Sequence, residues 1–219
     1  MSHKLIKMIA EGEHQRQDFK YCINDSRKIA RSMVAFSNAD GGRLLLGIRD
    51  NGSVAGVKSD EEYYMAEAAA KLYSKPPINF QTQQWLIEGK TVLEIVIPKS
   101  TEIPHFAQND EGKWLVYIRK DDQNILAPGI LLKVWEQKKN PRGVFIRFTE
   151  EEKRLLALLE SDQHLSRNQF LRKAKLPRWK GEKILVNLIV IGIVGMDLSE
   201  SGTRFFLRDD FEEKFKDAF

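Results

Sequence analysis

Seven basic side chains crowd into residues 163–183. Arg167, Arg172, Lys173, Lys175, Arg178, Lys180 and Lys183 stand there against one acid, Glu182, a local charge of +6. Guanidinium and ammonium groups at that density suit a phosphate backbone, whose charges they neutralise while releasing counterions. A solvated helix face is the competing reading of the same run. At about 100° per residue, Lys180, Lys183 and Asn187 fall within about 60° of one another on a helix. Leu185, Leu188 and Ile189 lie on its other side. A recognition helix needs that division, because apolar residues seat it while basic and amide groups meet phosphates and base edges. Trp179, between Arg178 and Lys180, can stack on a base or sugar or pack against a neighbouring hairpin.

The elements that must position these groups are legible around them. Thr149 with Glu152 three residues on is a capping box for a helix over Glu150–Glu160. Ser166 caps a second helix with Phe170 and Leu171 turned inward, and a third runs from about Pro177 to Ile191, where Gly192 stops it. Two β-type runs, Ile193–Leu198 and Thr203–Arg208, flank the turn Ser199–Gly202, and Arg204 of the second run joins the basic set. Three helices followed by a hairpin is the layout of a winged helix-turn-helix, here over 148–219. Its partner is nucleic acid or, in the competing reading, protein alone. Upstream, EQKKNPR (Glu136–Arg142) is polar and holds a proline. It predicts a linker over 136–147 after a first domain of 1–135.

In that first domain, Asp25 or Ser26 caps a helix to about Ser37 with Ile29, Met33 and Phe36 on its apolar side. Asn38–Gly42 suits a tight turn, RLLLGI reads as a strand, and Asp50-Asn51-Gly52 as the next turn. A helix is expected from Ser59 or Asp60 to just before Pro76-Pro77. Strands follow at 78–87 and 91–97 with a hairpin at Glu88-Gly89, and another at Trp114–Arg119 after the Asn109–Gly112 turn. Helices and strands mix without regular alternation, so the fold class is α+β.

Composition bounds the function. With 219 residues, 42% of them apolar and 30% charged, the chain has the makings of a folded protein with room for two small domains. The net charge of +4 divides into +1 over residues 1–135 (18 basic, 17 acidic) and +3 over 136–219 (17 and 14). The longest apolar stretch, Leu185–Met196, is interrupted by Asn187, Gly192 and Gly195, far short of the roughly 20 residues of a membrane span. The N-terminal MSHKLIKMIAEGEH lacks a signal-peptide core. Cys22 is the one cysteine, no Cys/His cluster has zinc spacing, and His3, His14, His105 and His164 are scattered. A reducing cytoplasm is the expected compartment.

Four segments together resemble one family: Glu13-x-x-x-x-Asp18-Phe19-Lys20, AFSNADGGRLLLGIRDNGSVAGV (Ala35–Val57), Pro104-His105-Phe106, and VYIRKDDQNILAP (Val116–Pro128). They are similar to the Schlafen-type, Alba-related (AlbA_2) domain, over about residues 10–130. The resemblance implies a Schlafen/AlbA-like α+β domain, which in bacterial members is often followed by a winged helix, and a DNA-binding or regulatory role. Eukaryotic Schlafen members include endoribonucleases that use three carboxylates. By position these fall on Glu13, Asp18 and Asp50, with Lys20 adding positive charge at the scissile group. Such a set would hold Mg²⁺ or Mn²⁺ to activate water. Asp18 stands where glutamate is usual, one methylene shorter. The alternative is structural, with Glu13 and Asp18 near a helix or strand end and Asp50 in a turn.

Gly52-Ser-Val-Ala-Gly56-Val-Lys58-Ser59 misses the Walker A spacing, so ATP hydrolysis is not expected. The reading is therefore a nucleic-acid-binding protein, a DNA-binding transcriptional regulator. Duplex DNA is its favoured partner and structured RNA the other, with self-association left open and no cofactor needed for binding. The rival reading is a Mg²⁺- or Mn²⁺-dependent endoribonuclease built on Glu13, Asp18 and Asp50.

Overall fold

The computed structural model describes residues 2–57, 60–144 and 148–208. The chain divides into two compact units, Met1–Ala127 and Pro128–Phe219.

In the first unit the elements are α1 (Ser2–Glu11), β1 (Gln17–Lys20), α2 (Ser26–Asn38), β2 (Gly42–Leu46), α3 (Glu61–Lys71), β3 (Ser74–Lys75), β4 (Gln81–Ile87), β5 (Lys90–Ile97), β6 (Phe106–Gln108), β7 (Trp114–Leu115), β8 (Tyr117–Lys120) and β9 (Gln123–Leu126). The main sheet has the order β1-β2-β5-β4. β1 runs parallel to β2, with Asp18 opposite Leu44, and the other pairs are antiparallel. Leu44, Leu45 and Leu46 are all fully buried, which requires both faces of β2 to be covered. Alternation does this. Leu44 and Leu46 pack with Ile29, Met33 and Phe36 of α2, while Leu45 packs with Leu5 and Met8 of α1. α2 starts where expected, with the Asp25 carboxylate accepting from Arg27 N at 2.8 Å. The glycines after it have two separate reasons. Gly41 adopts φ +68°, and at Gly42 a Cβ would press into the Phe36 ring and 2.9 Å from the Arg16 carbonyl.

The second unit consists of α4 (Gly129–Lys138), α5 (Glu150–Asp162), β10 (Leu165–Ser166), α6 (Arg167–Ala174), α7 (Arg178–Val190), β11 (Val194–Ser199) and β12 (Gly202–Leu207). Its sheet has the order β10-β12-β11. Both capping boxes form, at Thr149/Glu152 and at Ser166/Gln169. Leu155, Leu159, Phe170, Leu185, Leu188 and Phe205 build the core.

The boundary differs from the expected one. The division falls at 127/128, and α4 occupies the start of the expected linker. Ile130, Leu131, Val134 and Trp135 are buried, and Ile130 and Val134 join the second unit's core. The polar end of α4, Glu136–Lys138, is what reads as linker in the sequence. Of the other expectations, Ser59 as a helix start and the Lys58-Ser59 end of the Walker-like segment lie outside the described residues.

Candidate nucleic-acid interface

β1 and the loop before it bring two of the expected carboxylates together. Glu13 accepts a hydrogen bond from Phe19 N at 2.8 Å and faces Asp18. Burial, and then the Asp18 carboxyl beside it, push the Glu13 carboxyl above its ordinary range against the opposing pull of that N–H. Asp18 is 4% exposed. Lys20 Nζ lies 2.7 Å from one of its oxygens and Arg119 Nη2 3.4 Å from the other. Lys20 directs its hydrogen bond to the Phe19 carbonyl at 2.8 Å, so it meets that oxygen by charge rather than by an aligned bond. Arg119 is itself 2% exposed. It also donates to Gln17 O, His14 O and Asn124 Oδ1 and lies 5.0 Å from the centre of the Phe36 ring.

Asp50 does not join this group. It is exposed in the turn that Arg49 N closes on Ser53 O and Gly52 N on Arg49 O. Among the described residues, no three His, Cys, Asp or Glu side chains are placed to hold a metal ion. Asp18 is already matched by two cations and Asp50 stands apart, so this donor set as arranged does not fit Mg²⁺ or Mn²⁺. Glu13, Asp18 and Asp50, expected together as metal ligands, are thus not assembled as one group among the described residues. His105, from the Pro104-His105-Phe106 triplet, is a buried strut. Its ring nitrogens meet Pro76 O (2.9 Å) and Ser100 Oγ (2.8 Å), and its backbone is clamped by Asn38.

In the second unit the basic residues sort into two classes. Arg167 and Arg178 both reach Glu182, at 3.2 and 2.8 Å, Lys173 pairs with Asp162 and Lys180 with Glu151. Arg172, Lys175, Lys183 and Arg204 are exposed, and none of these four makes an ion pair among the described residues. α7 divides in part as its sequence implies, since Lys180 is half-buried in its pair with Glu151 and Val186 beside Asn187 is buried. Ile184, Leu185, Leu188 and Ile189 are buried, while Lys183 is exposed, Asn187 half-buried and Trp179 69% exposed. Trp179, Lys183, Val186 and Asn187 line a groove of about 440 Å³ with Lys133 and Gln137 of α4. Trp179 therefore lies open beside the cations rather than packed on the hairpin.

The Schlafen, AlbA_2 family model matches residues 13–128, which is the first unit almost end to end. The chain belongs to the Schlafen AlbA_2 family. Membership points to a nucleic-acid-related role. No curated protein matches the chain. Among solved structures it is similar to the DIP2311 protein from Corynebacterium diphtheriae, at 14% identity and a TM-score of 0.43 over 73% of this chain. It spans 37% of that protein's length. It is also similar to the N-terminal domain of a RecG-related protein from Nitrosomonas europaea, at 20% identity and a TM-score of 0.34, covering 57% of this chain and 94% of that domain. Among the described residues no helix is long and apolar enough to cross a membrane.

Three residues of consequence escape the sequence reading. Arg119 lies within the AlbA_2-like VYIRKDD segment, but nothing in its neighbourhood signals that it closes on Asp18, 101 residues away. Lys133 falls on α4, whose helical period from Ile130 to Val134 was the available signal. Glu182 registers only as one negative charge within the basic run, and its burial in front of three cations is a tertiary fact.

Proposed function

We propose that this AlbA_2 protein is a DNA-binding regulator whose second unit is a winged helix, with α7 as the helix that meets the duplex and the β11–β12 hairpin as its wing. The element order α5-β10-α6-α7-β11-β12 supports this reading. The observation that carries it is the face of α7. Trp179 and Lys183 are exposed and Asn187 is half-buried along one groove of a helix whose Ile184, Leu185, Leu188 and Ile189 are buried, and these supply the charge, aromatic and amide groups that meet phosphates, sugars and base edges. Arg172, Lys175 and Arg204 extend the positive surface beyond α7. Duplex DNA is the favoured partner because a presented helix fits a major groove, whereas the narrow major groove of A-form RNA excludes it.

Fluorescence anisotropy of the full chain on labelled duplex DNA across a salt series tests this. Each neutralised phosphate contributes about −0.9 to the slope of log K against log[salt], so the four exposed, unpaired cations predict a slope of roughly −3.6 or steeper. Affinity that does not change with salt would contradict the reading.

A further inference from the structure

Glu182 is 5% exposed and gathers cations from three helices. Lys133 of α4 lies 2.5 Å from one carboxylate oxygen, and Arg167 of α6 and Arg178 of α7 lie 3.2 and 2.8 Å from the other. Lys133 first, and Arg178 after it, hold the carboxyl down to about 2 against the opposing effect of burial. Three cations against one carboxylate leave a net +2 in one small array, and none of the three is used up by the contact. Arg178 binds through Nε and keeps both terminal nitrogens. Arg167 binds through Nη1 and keeps Nη2 and Nε. Their side chains stay 69% and 36% exposed, and that of Lys133 53%.

We propose that Glu182 is a positioning residue for phosphate contacts, fixing Lys133, Arg167 and Arg178 so that their remaining N–H groups face the DNA backbone as one preformed clamp. This rests on the nucleic-acid reading above and extends it to residues with ion-pair partners, which would otherwise count as neutralised. The physical reason is entropic. Long basic side chains lose rotamer freedom when they bind a phosphate, and a carboxylate that has already ordered them removes that cost from the binding step. A guanidinium pinned by one edge still presents the other for bidentate contact.

The two roles open to Glu182 predict opposite signs. If it merely neutralises, Glu182→Gln raises the local charge from +2 to +3 and tightens binding. If it positions, the same change weakens binding despite the added charge. The test uses the full chain with a fluorescein-labelled duplex of roughly 20 base pairs, and anisotropy read between about 50 and 300 mM KCl. The expected result for Glu182→Gln is a loss of about five- to tenfold at 100 mM, with a slope shallower by about one. Equal or tighter binding overturns the proposal. Should thermal melting find Glu182→Gln unfolded, Arg178→Gln decides, because that side chain is mostly exposed. A loss of about threefold or more, with a slope reduced by about 0.9, is expected, and unchanged binding overturns the proposal. No binding by the wild type at about 50 mM KCl would instead refute the nucleic-acid reading and the inference with it.

Discussion

Glu13 sits in an environment that suits its neutral form. Burial and the facing Asp18 raise its pKa, and folding therefore favours the protonated carboxyl. The stability this contributes is fully present below the unfolded-state pKa, about 4.3 for glutamate, and is lost as pH rises through the higher folded-state value. At neutral pH the charged group is a liability. Glu13→Gln, neutral at every pH and able to accept the same hydrogen bond from Phe19 N, is expected to melt above the wild type at pH 7.5. The gap should close as pH falls towards 4, and thermal melts across that range check it. A lower melting temperature at pH 7.5 would mean that the carboxylate is held by charge, as at a metal site. Asp18 beside it is faced by Arg119 and Lys20. Removing one member of such a buried pair costs on the order of 3–5 kcal/mol, mostly by stranding the other. The spacing of Glu13 and Asp18 was readable in the sequence, and the two do meet. Their cationic partner was not, because Arg119 arrives from a hairpin far along the chain and no local pattern encodes that pairing.

Among the elements, the glycine-rich segment shows how a family signature can be structural. Gly41 turns the chain at φ +68°, and Gly42 lets β2 begin directly beneath the Phe36 ring and beside the Arg16 carbonyl. A methyl group at Gly42 would meet a buried ring and backbone, neither of which has room to give. Gly42→Ala is therefore expected to destabilise the protein by about 2 kcal/mol, in the range of other overpacking changes. Urea unfolding would measure it, and a change below about 0.5 kcal/mol would mean that this packing is softer than its geometry implies. Elements with local signals were legible throughout. Asp25, Thr149 and Ser166 cap α2, α5 and α6 as their sequences imply, and Gly192 follows the end of α7. α4 was not legible as part of the second unit. Its buried residues and its polar last turn give opposite local messages, and only packing against the second core decides between them.

Across the whole molecule, charge and family membership point to different units. Residues 13–128 carry the AlbA_2 match, whereas the net charge of the sequence concentrates after residue 135, at +3 against +1 before it. The proposed division of labour makes opposite predictions for two single changes in the full chain. Lys183→Glu reverses the charge of an exposed, unpaired lysine on the face of α7. It is expected to weaken duplex binding by about tenfold at 100 mM salt and to reduce the salt slope by about one. Asp50→Asn removes a charge in an exposed turn apart from Glu13 and Asp18, and is expected to leave that affinity within about twofold. Anisotropy on one labelled duplex reads both. A parallel incubation with hairpin RNA and Mn²⁺ extends the test to chemistry. Metal-dependent cutting by the wild type, lost in Asp50→Asn, would mean that the turn closes on Glu13 and Asp18 when a substrate is present. The clamp of Asp18 by Arg119 and Lys20 opposes that closure, because Asp18 would have to exchange two cations already in contact for a hydrated metal ion. Intact RNA with retarded duplex is therefore the expected pair of results.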